Sequence, residues 1–282
     1  MAKCAGFCYG VKRAVETTKK IKTENASKNV WVLGELIHNS HVINNLEELG
    51  IKTVDELPNN ESGICIVRSH GMAPQKIKEI EEKGFEVVDL TCLDVKKVQQ
   101  KAIELAKEGF LVLILGKPEH PEVIAIKANA ELYTDKVFVI SDENDLKAIE
   151  QEITKHKRVG IVIQTTQKIE LLKDITSKVI PLSSEIKIFN TICKSTSLRQ
   201  QEARELAKTS DLMVVVGSKK SANTTHLAEI LQDITNTVHI ENASDLNEYK
   251  DLLNKATNIG VTAGASTPDD VIKEVIKYLE NT

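Results

Sequence analysis

Three times along this chain of 282 residues, a cysteine is followed by a stretch of helical periodicity and then by a β-branched run ending in glycine. Cys8 precedes GVKRAVETTKKI, Cys92 precedes LDVKKVQQKAIELAKEG, and Cys193 precedes KSTSLRQQEARELAKT. The runs VWVLG, LVLILG and LMVVVG end at Gly34, Gly116 and Gly217, so the cysteine-to-glycine spacings are 26, 24 and 24 residues. The same order of elements at nearly the same spacing marks an internal repeat. A second apolar run then leads into a polar loop each time: ICIVRSHG, RVGIVIQTTQ and NIGVTAGASTP. From Gly116 to Thr165 and from Gly217 to Ser266 the separation is 49 residues, and from Gly34 to His70 it is 36.

Strand-like runs alternating with helical stretches predict an α/β chain with parallel sheet. The repeat predicts three small α/β units, at 1–91, 92–192 and 193–282. Open parallel sheets bind ligands beyond the carboxyl ends of their strands. The polar residues expected there are Glu35, His38 and Asn39, Ser69 and His70, His120 and Glu122, Thr165 and Thr166, Ser221 and Asn223, and Ser266. If the three units face one centre, these loops converge with the three cysteines. The alternative is three independent lobes with unrelated surface loops.

Composition narrows the function classes. The formal net charge is −4 with acidic and basic residues interspersed, which gives no electrostatic basis for binding nucleic acid or an anionic membrane. The start MAKCAGFCYG lacks the apolar core of a signal peptide, and no apolar run reaches membrane-spanning length. A cytoplasmic location is expected, with no further domain after residue 282. Disulfides are rare in that compartment, so the five cysteines are core residues, nucleophiles or metal ligands.

Two cysteines share a frame. FEVVDLTC ends at Cys92 and IKIFNTIC at Cys193, so in both a strand exits through Asp or Asn and the cysteine starts a helix, where amides and the helix dipole favour thiolate. Cys8 lies between Gly6 and Gly10, which let backbone fold closely around a bulky group. Cys65 sits inside the apolar run ICIV and reads as core, and Cys4 reads as incidental. Three thiolates can hold zinc with a histidine, although close C-x2-4-C pairs are lacking among them. They can also hold a [4Fe–4S] cluster, which normally takes four cysteines; with three, one iron keeps an exchangeable position.

The segments GFCYGVKRA, GELIHN, RSHG, DLTC, HPEV, QTT, NTIC followed by TSLRQ, VVGSKKSANT and GVTAGASTPD resemble the 4-hydroxy-3-methylbut-2-enyl diphosphate reductases of the non-mevalonate isoprenoid pathway, in that family's order across residues 6 to 269. The resemblance implies three α/β domains in a pseudo-threefold trefoil around a [4Fe–4S] cluster on Cys8, Cys92 and Cys193, with one iron not ligated by cysteine. It implies removal of the substrate hydroxyl to give isopentenyl and dimethylallyl diphosphates, with single electrons from ferredoxin or flavodoxin. Carried over by motif, His38, His70, His120, Thr165, Ser221, Ala222, Asn223 and Ser266 bind substrate, while Glu122 and Thr165 are catalytic. The chain departs from the family where S-S-N becomes Ser221-Ala222-Asn223, and where Ala125 and Ala128 follow HPEV in place of glycine.

The residues themselves permit this chemistry. Histidine, serine and asparagine side chains with helix N-terminal amides supply the donors a diphosphate needs. A hydroxyl leaving as water needs an acid, and Glu122 is the best placed, with Thr165 as relay or orienting group. Taken alone, Glu122 also reads as an exposed first-turn glutamate, a common placement. The competing functions are a non-catalytic iron–sulfur or zinc protein sensing a phosphorylated metabolite, and a zinc hydrolase.

Overall fold

The computed structural model describes residues 1–59 and 61–281. Its strands form three sheets. Sheet one contains β1 (Val30–Leu33), β2 (Ile51–Val54), β3 (Ile64–Val67) and β4 (Glu86–Asp89). Sheet two contains β5 (Leu111–Leu115), β6 (Val137–Ile140), β7 (Arg158–Ile163) and β8 (Glu185–Phe189). Sheet three contains β9 (Leu212–Val216), β10 (Asn236–Ile240) and β11 (Ile259–Ala263).

The orders are β2-β1-β3-β4, β6-β5-β7-β8 and β10-β9-β11. The repeat is therefore topological as well as sequential. In each sheet the strand ending at the repeat glycine pairs in parallel with the strand leading to the polar loop: Trp31 faces Cys65, Leu113 faces Ile161, and Val214 faces Val261. The chain leaves β5 through the helix Pro121–Ala130 toward β6 on one side. It leaves β7 through the helix Ile169–Val179 toward β8 on the other. The carboxyl ends of β5 and β7 thus flank a topological switch point, the crevice where open α/β sheets bind ligands.

The inner strands are continuous apolar runs because both of their faces are covered. Alternate residues serve opposite faces: Leu111, Leu113 and Leu115 join one core cluster while Val112 and Ile114 join another. Sheet three divides the same way, with Leu212, Val214 and Val216 on one side and Met213 and Val215 on the other.

By contact the chain forms two compact units. The first comprises Met1–Asn25, Glu35–Thr53 and Cys193–Thr282, and it carries sheet three. The second comprises Ala26–Gly34 and Val54–Ile192, and it carries β1, β3, β4 and all of sheet two. The chain crosses between units after Asn25, after Gly34, within β2 and again at Cys193. No helix among the described residues is long and apolar enough to cross a membrane.

The helix Leu93–Lys107, which begins just after Cys92, buries Val95, Val98, Ala102, Leu105 and Ala106 and packs on β5 and β7. Its seat on β7 depends on Gly160. A Cβ there would lie 2.5–2.9 Å from three side-chain carbons of Leu105. We expect Gly160→Ala to lower stability by about 1–3 kcal/mol through overpacking, measured as a lower midpoint in urea unfolding, with Gly84→Ala unsuited as a steric control because Gly84 has positive φ.

Candidate active site

All three repeat cysteines are helix N-caps. Cys8 precedes Tyr9–Glu24, Cys92 precedes Leu93–Lys107, and Cys193 precedes Lys194–Ala207. Cys8 Sγ accepts from the Val11 N–H at 3.4 Å and Cys193 Sγ from the Thr196 N–H at 3.3 Å. Donors of this kind stabilise a thiolate. The Asp and Asn before two of the cysteines act alike, since Asp89 Oδ1 accepts from the Thr91 N–H at 2.9 Å and Asn190 Oδ1 from the Ile192 N–H at 3.3 Å. Each side chain turns the backbone out of its strand. The Cys92 N–H then donates to the Ser69 carbonyl at 2.9 Å, tying this cap to the RSHG loop. All three thiols are half-buried and none of the five cysteines is in a disulfide. Cys65 is fully buried, and burial pushes its thiol up to about 11, which fits a core residue.

The second unit brings Glu122 and Thr165 together across the β5/β7 switch point. Glu122 is 1% exposed, so the exposed first-turn reading does not hold. The Thr165 N–H donates to Glu122 Oε1 and the Thr165 hydroxyl to Oε2, both at 2.7 Å. Burial pushes the Glu122 carboxyl up to about 7, against the opposing pull of the two Thr165 hydrogen bonds. His120, also buried, caps the same helix: its Nδ1 accepts from the Glu122 N–H at 3.2 Å. That bond leaves Nε2 as the protonated nitrogen of a neutral His120. The His70 ring packs edge-on against His120, with ring centroids 5.4 Å apart.

The first unit gathers the remaining candidates. His38 Nδ1 lies 2.8 Å from Glu35 Oε2, and the Lys220 ammonium is 3.5 Å from Glu35 Oε1. Asn39 caps the next helix by accepting from the Val42 N–H, and the Ser266 hydroxyl donates to the His38 carbonyl at 3.3 Å. Ser221 is the N-cap of Ala222–Gln232, which turns the first amides of that helix outward. The Thr196 hydroxyl lies 3.1 Å from Cys193 Sγ and 3.5 Å from Asn223 Oδ1. Asn223 Nδ2 is buried with no hydrogen-bond partner among the described residues, a polar atom that calls for one from outside.

The family model described as LytB protein matches residues 1–280. The chain belongs to the LytB family. A 4-hydroxy-3-methylbut-2-enyl diphosphate reductase from Pelobacter propionicus is 40% identical over 277 residues, covering 98% of this chain and 95% of the relative. The reductase of the same name from Clostridium tetani is 42% identical over 290 residues and matches all of this chain, which spans 43% of that longer relative. A solved structure described as (E)-4-hydroxy-3-methyl-but-2-enyl diphosphate reductase, the terminal enzyme of the non-mevalonate pathway, superposes with a TM-score of 0.73 at 37% identity, covering 100% of this chain and 98% of that one.

The departures from LytB motifs are local. Ala222 is buried at the first helical position after Ser221, where it still presents a backbone N–H. Ala125 is fully buried, and a Cβ on Gly71 of the RSHG loop would lie 3.5 Å from its Cβ, so the extra methyl fills packing space. A residue not singled out in the sequence is Arg199, which is 4% exposed in a helix of largely polar composition. The signal was its place within TSLRQ, two turns from Cys193.

Glu122 also makes stability depend on pH. Its folded pKa of about 7 lies above its ordinary value of 4.5, so the folded protein retains a proton that the unfolded chain has released between those values. The associated stability is complete below about pH 4.5 and is lost as pH rises through about 7. We expect wild type to lose on the order of a few kcal/mol relative to Glu122→Gln between pH 5 and pH 8. Parallel urea unfolding curves for both proteins at the two pH values measure this difference.

Proposed function

We propose that this chain is a 4-hydroxy-3-methylbut-2-enyl diphosphate reductase, replacing the substrate hydroxyl with hydrogen to give isopentenyl and dimethylallyl diphosphates. The observation that carries the reading is Glu122, a buried carboxyl able to hold a proton near neutrality at a sheet switch point. A sensor of phosphorylated metabolites has no use for such a proton.

The residues fit an iron–sulfur cluster. Thiols suit iron–sulfur chemistry better than hard cations, and each of these three is set at a helix start, where thiolate is favoured. Asn223 accepts from Thr196 through Oδ1, beside the Cys193 cap, and its buried, unpartnered Nδ2 supplies a donor toward an anionic group. Cys8, Cys92 and Cys193 would hold a [4Fe–4S] cluster with one iron not ligated by cysteine. When bound, such a cluster supplies a Lewis acid and single electrons, delivered by ferredoxin or flavodoxin.

The chain's own groups do the rest. Exchanging C–O for C–H takes two electrons and two protons: one proton leaves with the hydroxyl as water and the other ends on carbon. Glu122 provides the first. The N–H and hydroxyl of Thr165 hold the carboxyl in place and stabilise the carboxylate once the proton has gone. His38, His70 and His120, with Ser221, Ser266 and the Asn223 amide, donate to the diphosphate. The amides of Ala222 and Asn223 at the start of Ala222–Gln232 add the favourable end of a helix dipole. The reading divides the chain into α/β segments 1–91, 92–192 and 193–282 and sets it in the cytoplasm, where thiols stay reduced.

Purification without oxygen, metal analysis and dithionite-driven turnover of the allylic diphosphate test the reading together. We expect a brown protein with about four irons per chain and conversion to both products. A colourless zinc protein, or an iron protein inert toward the substrate, would remove the assignment. Cys→Ser at 8, 92 or 193 should lower iron content, whereas Cys65→Ser should lower thermal stability with iron retained. Glu122→Gln should keep iron and substrate affinity but lose roughly 100-fold or more in turnover, the scale of a lost general acid.

A further inference from the structure

Arg199 is a buried cation whose described acceptors are all backbone carbonyls. Its Nη1 donates to the Cys4 carbonyl and, at 2.9 Å, to the Ala263 carbonyl, while Nη2 donates to the Gly6 carbonyl at 2.9 Å. These bonds tie together three segments of the first unit. One is the arm that runs into Cys8, another is the end of β11 that runs into Ser266, and the third is the helix capped by Cys193 on which Arg199 stands. The Cys8 N–H adds a bond to the Ala265 carbonyl at 3.1 Å.

Three carbonyl dipoles orient a guanidinium but do not neutralise it. A buried charge left without a counter-charge is costly. Burial lowers the pKa of Arg199, and the groups opposing that shift are Cys8, Cys4 and Cys193, followed by Glu202. Glu202 itself is engaged by the Cys4 N–H at 2.6 Å. The guanidinium thus bonds the arm two residues before Cys8 and stands on the helix that Cys193 caps, so both proposed cluster ligands of this unit lie on segments that Arg199 holds.

We propose that Arg199 is a positioning residue for the cluster: its buried positive charge offsets the negative charge of the Cys8 and Cys193 sulfurs and so raises the ease with which the cluster accepts an electron. The inference rests on the iron–sulfur reading and adds to it a residue that controls the redox step.

The test compares Arg199→Gln, which removes the charge, with Arg199→Lys, which keeps it. Both are reconstituted without oxygen beside wild type, and iron content and the midpoint potential from EPR-monitored titration are read. In the Gln variant we expect at least a tenfold lower reduced-to-oxidised ratio at a fixed potential, equivalent to about 59 mV more negative for a one-electron couple. The Lys variant should shift less. Iron loss in Gln with retention in Lys also supports the charge role. A wild-type potential in the Gln variant, equal shifts in both variants, or equal iron loss in both would overturn it, leaving Arg199 as a structural tie. Wild type that takes up no iron would instead remove the cluster reading, and this inference with it.

Discussion

Parallel strands can be joined only through a crossover, and here the inner strand pairs of sheets one and two send the chain away in opposite directions from adjacent carboxyl ends. Everything chemical in the molecule depends on that constraint. The crossover helices start at the carboxyl ends of the strands, so their unsatisfied amides lie beside the loops after the repeat glycines. Each cysteine occupies an equivalent position at the first cap of a helix. Cys92 follows β4 of sheet one and leads into a helix that packs on sheet two, and Cys193 follows β8 and marks the passage into the other unit. A residue at such a crossing is fixed by two packed elements at once, the strand that delivers it and the helix that it starts.

The pairing of Glu122 with Thr165 shows how the switch point shapes chemistry. Burial makes the carboxylate form costly and favours the acid. Two hydrogen bonds from one threonine, one from its backbone and one from its hydroxyl, pull the other way. The balance falls near neutrality, where a carboxyl group can both hold a proton and release it. A more exposed Glu122 would already be ionised at neutral pH, and a buried one without Thr165 would hold its proton more tightly. Gly116 at the end of β5 belongs to the same construction, because a Cβ there would lie 2.7 Å from both Gln164 and Val123. The closeness of the two strand ends requires a residue without a side chain.

Much of this was legible in the sequence because it depends on local patterns. The five inner strands and the edge strand β11 were visible as apolar, largely β-branched runs, since burial on both faces favours apolar residues. The cysteine caps were visible because Asp89 and Asn190 announce the turn that precedes two of them. The outer strands β2 and β10 were not singled out, because half-buried edges dilute the apolar signal with residues such as Lys52, Asn236 and His239. The division into two contact units was also hidden: the first unit is assembled from three stretches of chain, and nothing local marks which stretches pack together. For Glu122, the motif gave its identity but not its burial, which is set by residues more than 40 positions away.

The burial of Arg199 was hidden for a related reason. A helix of composition KSTSLRQQEARELA has the polarity of a surface element, yet it buries Thr196, Arg199, Gln200, Ala203 and Ala207 along one side. A polar stripe is retained inside a protein only when its groups find partners. Here Thr196 meets a sulfur and an asparagine, and Arg199 meets three carbonyls. An apolar residue of similar volume in place of Arg199 would remove a desolvation cost but leave those carbonyls unpaired. Lysine would keep the charge but not the planar fork that reaches three segments at once. The first unit, which holds Cys8 and Cys193, thus buries a cation, while the second buries a carboxyl whose proton is held near neutrality. Proton supply and electron acceptance are the two electrostatic conditions that reductive loss of a hydroxyl requires, and the proposed reading assigns one each to the buried Glu122 and Arg199.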